Sequence, residues 1–209
     1  MAKISRWTLG ASLGASVVSV ALLAASLAAA QAPQIVRVRA TIESVSGQTL
    51  SVKSRDGALM KVELAPNAPV NQVVKASLSD IKKGDYIAVT AMPQPDGSQK
   101  ASTILIFPAA MRGVGEGSRP WDFTPGSTMT NATVADEVTG VSGETVSVTY
   151  KGGQQKVAVS PATEIVEYKK ASAADLKAGE KIFVAGAKKL PDGTLQAPNV
   201  SYGDYGVWR

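Results

Sequence analysis

The chain has 209 residues, 44% hydrophobic and 19% charged, with a formal net charge of +5 and neither histidine nor cysteine. Its length allows one or two folded domains. The missing cysteines exclude disulfides, thiol chemistry and a lipid-anchored cysteine, and the joint absence of His and Cys removes the usual ligands of zinc and blue-copper sites.

The first thirty residues carry an address. Lys3 and Arg6 form a positive start, Leu9 to Leu27 runs without a charge, and Ala28-Ala29-Ala30 precedes Gln31. That order predicts a cleavable secretory signal over 1–30 and a periplasmic or secreted mature protein. Losing Lys3 and Arg6 would take the net charge from +5 to +3. No second apolar segment is long enough to span a bilayer, so no transmembrane span is expected after cleavage.

The rest of the chain repeats itself. Ser46-Gly47-Gln48-Thr49-Leu50-Ser51-Val52 returns as Ser142-Gly143-Glu144-Thr145-Val146-Ser147-Val148. Ala76-Ser77-Leu78-Ser79-Asp80-Ile81 returns as Ala171-Ser172-Ala173-Ala174-Asp175-Leu176, and Asp96-Gly97 as Asp192-Gly193. Matches that keep order and spacing mark a duplication.

Within the first copy, Val36, Val38, Ala40 and Ile42 alternate with polar residues, the period of a half-buried strand. Leu50 and Val52 continue the pattern after the Ser46-Gly47 turn. Met60, Val62 and Leu64 follow the Asp56-Gly57 hairpin signal. Residues 85–91 and 101–107 supply two further strands. Before them, Ser77 with Asp80, matched by Ser172 with Asp175, has capping-box spacing and predicts a helix of barely two turns. Gly84 and Gly179 stand where it would exit.

These elements predict an all-β fold with minor α. It comprises two tandem five-stranded OB-fold-like β-barrels, each with a short helix between strands 3 and 4, behind a signal peptide. The expected divisions are signal 1–30, first barrel 35–107, Gly/Pro-rich linker 108–127, second barrel 128–203 and tail 204–209.

The capping stretch ending in Gly84-Asp85 or Gly179-Glu180, with the Ser-Gly strand motif before it and Asp-Gly after it, resembles the DUF5666 group of bacterial exported domains. The resemblance covers about residues 35–107 and 128–203. It implies an OB-like fold outside the cytoplasm and brings no catalytic residue with it. Some members of the group carry transporter-component labels, which makes an accessory role in transport, metal included, the alternative to a binding or scaffold role.

For chemistry the sequence offers little. Asp136, Glu137, Glu164, Glu167, Asp80 and Asp85 lack the dense spacing of a calcium loop, and no metal or cofactor is expected. No G-x-S-x-G elbow is present, and Gly113-Val114-Gly115-Glu116-Gly117 fits no nucleotide motif. Two small barrels offer no deep cleft. The expectation is therefore a non-catalytic protein, with an envelope hydrolase as a distant alternative. Single-stranded nucleic acid needs aromatic platforms in a basic groove. The second and third strands offer only Tyr150, so no nucleic-acid partner is expected. The linker is unlike a plain spacer, because it holds Arg112, Arg119, Trp121 and Phe123. With Trp208 in the tail, these are the candidate residues for contact between the barrels or with an envelope protein or glycan. Burial of Trp121 between the barrels is the favoured expectation.

Overall fold

The computed structural model describes residues 34–136 and 144–204, nearly all in strands or in the turns between them. Alternating side chains dictate the first three strands. β1 (Ile35–Ser46) buries Val38, Ala40 and Ile42, β2 (Thr49–Ser54) buries Leu50 and Val52, and β3 (Leu59–Leu64) buries Val62 and Leu64. β4 (Val70–Lys75), a turn of 3₁₀ helix at Leu78–Asp80, β5 (Tyr86–Pro93) and β6 (Gln99–Ile106) complete the first half. After a connecting strand β7 (Gly117–Pro120), the second half runs β8 (Thr128–Asp136), β9 (Glu144–Tyr150), β10 (Gly153–Val159) and β11 (Glu164–Ala171). A 3₁₀ turn at Ala173–Asp175, then β12 (Lys181–Lys189), β13 (Leu195–Ala197) and β14 (Val200–Tyr202), follow.

The strands close into five-membered rings, but not repeat by repeat. β1, β2 and β3 pair in sequence, β3 then pairs in parallel with β13, β13 pairs with β12, and β12 returns to β1. In the other half β8, β9 and β10 lead to β6, β6 to β5, and β5 back to β8. Each ring takes three strands from one repeat and two from the other. The expected pair of self-contained barrels over 35–107 and 128–203 is therefore corrected, and Pro33–Arg209 forms one compact unit. The hydrophobic pattern specifies which face of a strand is buried. It does not specify which copy of an equivalent partner covers it.

The exchange is made at β4 and β11, which the sequence reading had missed. They pair antiparallel with Val73 opposite Tyr168, flanked by Lys75 opposite Val166 and Asn71 opposite Lys170. The spacing that relates Gly84 to Gly179 also relates Val73 to Tyr168, Lys75 to Lys170 and Asn71 to Val166. The pair is thus self-complementary about its centre, as in an isologous contact. β14 pairs in parallel with β4, and β6 with β11, so each fifth strand is held by the crossing pair. The approach is close at Gly203. Its φ is +145°, and a Cβ there would lie 2.7 Å from the Val73 carbonyl oxygen.

Each predicted helix is a single 3₁₀ turn. The Ser77 N–H and Oγ both donate to Asp80 Oδ2, at 2.8 and 2.6 Å, and Ser172 with Asp175 repeats the arrangement at 2.8 Å for both. The turn stops because Ile81 and Leu176 are already extended and bury their side chains. Gly84 and Gly179, at φ +88° and +90°, then turn the chain into β5 and β12. Each ring encloses its own apolar cluster, one around Leu50, Val62 and Ile182 and the other around Ile87, Ile104 and Val146. The signal expected over 1–30 and Trp208 in the tail lie outside the described residues.

Strand exchange makes a direct prediction. A fragment spanning 128–204 cannot close a ring alone, because its β12 and β13 need the first three strands of another copy. It should be recovered as a dimer by light scattering after gel filtration. A folded monomer with dispersed amide resonances would contradict the pairing.

Candidate functional site: a cavity in the seam between the rings

Where the rings meet, outward-facing residues form a third core of Val73, Ala88, Leu105, Trp121, Met129, Val166 and Phe183. Inside the rings the two halves match, with Ile87 against Ile182, Val62 against Val157 and Ile42 against Val134. In the seam they differ. The registers make Ala88 the counterpart of Phe183, Leu105 of Ser201, and Asn131 of Arg39, and the repeat spacing makes Asn71 the counterpart of Val166. The two ring interiors are alike, whereas the seam carries polar and aromatic surfaces that differ between the halves.

The segment between the repeats closes one side of the seam. Tyr86 Oη and Asn131 Nδ2 donate to the Val114 carbonyl at 3.1 and 2.9 Å, Arg119 Nη1 to the Gly115 carbonyl at 2.8 Å, and Arg112 Nη2 to the Gly84 carbonyl at 2.7 Å. β7 pairs with β8 from Gly117 opposite Asn131 to Pro120 opposite Thr128. Residues 108–127 are therefore bonded into the fold at several points.

Trp121 is only 9% exposed. Its ring meets Phe183 edge-on at 6.3 Å, and Arg37 lies over it at 4.4 Å, with Arg39 at 5.6 Å and Arg119 at 5.9 Å. Asp122 gathers Arg37 and Arg39. It accepts from Arg39 Nη2 at 2.8 Å and Nη1 at 3.2 Å, and from Arg37 Nη1 at 3.5 Å. The Arg39 hydrogen bond, reinforced by the charges of Arg39 and Arg37, holds the Asp122 carboxyl below the usual carboxylate range. Burial first, and then the Arg37 charge, lowers the Arg119 guanidinium from its ordinary value.

Beneath this stack is a half-enclosed cavity of about 230 Å³. Aromatic walls come from Phe107, Trp121, Tyr168 and Phe183, alkyl surface from Ala88, Leu105 and Met129, and polar edges from Asn71, Asn131 and Ser201. Tyr168 Oη is matched with Ser201 Oγ at 3.1 Å, and burial raises the phenol above its ordinary value. Two buried polar atoms of lining residues have no hydrogen-bond partner among the described residues: Trp121 Nε1, a donor, and Asn131 Oδ1, an acceptor. The Nδ2 bond to Val114 fixes which end of the Asn131 amide is which. An unmatched buried group costs about 1–3 kcal/mol. Burying an indole gains more, about 4–6 kcal/mol from 150–250 Å² of surface. Burial of the indole therefore outweighs its own unmatched Nε1.

Of the residues singled out from sequence, Arg119 and Trp121 line the cavity, Phe123 packs against the third core, and Arg112 ties the connecting segment to Gly84. Sequence reasoning missed Asn71, Asn131, Tyr168, Phe183 and Ser201. Their signal was the mismatch between copies, Asn71 against Val166 for example. It could be read only once the extra strands were aligned. Asn131, first of an Asn-Ala-Thr sequon, is 5% exposed. No group of three or more carboxylates among the described residues could hold a metal ion. No helix among them is long and apolar enough to cross a membrane.

A family model recognises part of this arrangement. Residues 137–201 match a domain of unknown function, DUF5666. No curated protein and no solved structure matches the chain. The DUF5666 match falls on the second repeat and runs through β9 to β13 into β14. It supplies β9 and β10 to one ring and β12 and β13 to the other, so the matched segment is itself divided between the rings. Residues 35–107 lie outside this match.

Two outcomes follow for the stack. Trp121→Ala should destabilise the protein by about 3 kcal/mol, the low end for a large aromatic truncation, since Nε1 has no protein bond to lose. Denaturant unfolding measures it, and an unchanged midpoint would place the indole outside the packing. Asp122, 45% exposed on its side chain, should contribute less, under about 1 kcal/mol. Because its folded value is depressed, the contribution is full above about pH 4 and disappears as pH falls through the lower folded value. The melting difference between wild type and Asp122→Asn should therefore shrink on acidification.

Proposed function

We propose that the protein is a non-catalytic binding protein acting outside the cytoplasm, and that its ligand is a small molecule held in the seam cavity. One observation carries the reading. A half-enclosed cavity of about 230 Å³ has walls of Phe107, Trp121, Tyr168 and Phe183 and polar edges from Asn71, Asn131 and Ser201. An apolar pocket with a few placed polar groups is the usual form of a small-molecule site. The ring order supports an OB-like reading of each barrel: three consecutive strands, then a strand parallel to the third. The seam, not a barrel face, is then the site. The exported address rests on the order of Lys3, Arg6, the uncharged run and Ala28-Ala29-Ala30.

Protein purified from the envelope fraction of its own host should have an intact mass lacking residues 1–30. Recovery at full length only in membranes would sink the exported address. Native mass spectrometry of the same material should reveal a bound small molecule, released on denaturation. Ala88→Leu should abolish that adduct while the protein stays folded, because the position faces the cavity and its counterpart in the other half is already a phenylalanine. An adduct retained by Ala88→Leu would place the ligand elsewhere.

A further inference from the structure

The cavity's volume and lining constrain what it can hold. At about 230 Å³ it exceeds the roughly 150 Å³ cavity that accommodates benzene. It is smaller than the about 300–1,000 Å³ of sites for drug-sized ligands. With Phe107, Tyr168 and Phe183 in its walls, the space suits one planar ring with a short substituent.

Charge selects the substituent. Arg119 is the only charged residue in the lining. Asp122, the acid of the overlying stack, is taken up by Arg39 and Arg37, and no carboxylate among the described residues pairs with Arg119. Its guanidinium donates from Nη1 to the Gly115 carbonyl at 2.8 Å and lies 5.9 Å from the centre of the Trp121 ring. Nη2 is near Gly115 too, 3.5 Å from where a Cβ on that residue would stand. Gly115 and Trp121 both line the cavity, so the charged end of Arg119, not only its alkyl stem, stands at the wall. Most of its N–H donors are uncommitted, and the group stays protonated. A second polar group is open there as well. Asn71 is 9% exposed and lines the cavity, and its side-chain amide makes no hydrogen bond to any described residue.

Resting on the reading of the seam as a ligand site, we propose that the protein binds a small aromatic carboxylate, with its ring among Phe107, Tyr168 and Phe183 and its charge at the Arg119 guanidinium. The planar fork of a guanidinium matches a carboxylate in geometry and in charge. In a half-enclosed, largely apolar site that attraction is screened less than it would be on open surface. A neutral ring gains the apolar walls alone. An ammonium meets repulsion from Arg119 with no acid in the lining to offset it, and a carboxylate without a ring leaves the walls uncovered.

Benzoate, toluene, benzylamine and acetate test the class as a set. Each is titrated into ¹⁵N-labelled protein while the backbone amide resonances of Ala88 and Phe183 are followed. Benzoate should shift both and bind at least about tenfold more tightly than the other three, the effect of one charge-assisted hydrogen bond. In Arg119→Gln the benzoate affinity should fall by about tenfold, with that of toluene unchanged. Toluene or acetate binding as tightly as benzoate, or benzylamine binding more tightly, would overturn the carboxylate assignment and leave the seam as a site for another ligand. Undiminished benzoate binding by Arg119→Gln would overturn it too. If that variant does not fold, the order of the four compounds on the wild-type protein still decides. Benzoate that fails to bind also overturns the assignment. The ligand-site reading itself falls only if, in addition, protein from the host carries no adduct that Ala88→Leu removes.

Discussion

The antiparallel pairing of β4 with β11 is the constraint on which the rest of the molecule depends. Each of these strands lies between the third and fourth ring strands of its own repeat, and each is satisfied by its counterpart from the other repeat. Once Val73 lies opposite Tyr168, the chain leaving β4 is delivered to the second ring and the chain leaving β11 to the first. Neither ring can then close without the other. Two barrels whose size alone would make them marginal become one cooperative unit with three apolar cores.

That arrangement also creates the site. A tandem pair of closed barrels would meet across a small and polar interface. Here the crossing strands, the fifth strands and the connecting segment enclose a volume lined on several sides by backbone that is already hydrogen-bonded. The wall is rigid because its strands belong to the sheets, and the connecting segment is bonded to it through Val114, Gly115 and Arg112. Walls held by sheet hydrogen bonds keep the cavity's shape.

The asymmetry of the seam has a simple physical origin. The two halves are related by a local two-fold axis through β4 and β11, and a single connecting segment can cover only one side of it. On that side Trp121 requires cover, which Arg37, Arg39 and Phe183 provide from β1 and β12. The equivalent positions on β8 and β5 are Met129, Asn131 and Ala88, smaller or neutral. All three line the cavity. Divergence at these positions left the ring interiors unaffected, because seam side chains point away from them on the alternate face of each strand.

By itself, the sequence determined the strands with clean alternation, the turn glycines, the capped turns before β5 and β12, and the recurrence of its motifs at near-constant spacing. These are local properties, since a period of two residues, a left-handed turn or a serine three residues from an aspartate acts within a few positions of chain. It also marked Trp121 and Arg119 as out of place in a spacer. The partner of each strand was decided only in the tertiary structure. Equivalent edges in two copies present the same hydrogen-bonding pattern and the same apolar face, so local sequence cannot tell its own fourth strand from its counterpart. β4 and β11 went unread because their buried residues are set by each other, across about ninety residues of chain, and not by a solvent-facing alternation. The cavity shares that origin: Asn71, Asn131, Tyr168, Phe183 and Ser201 are distant in sequence, and the exchange of strands brings them to one place.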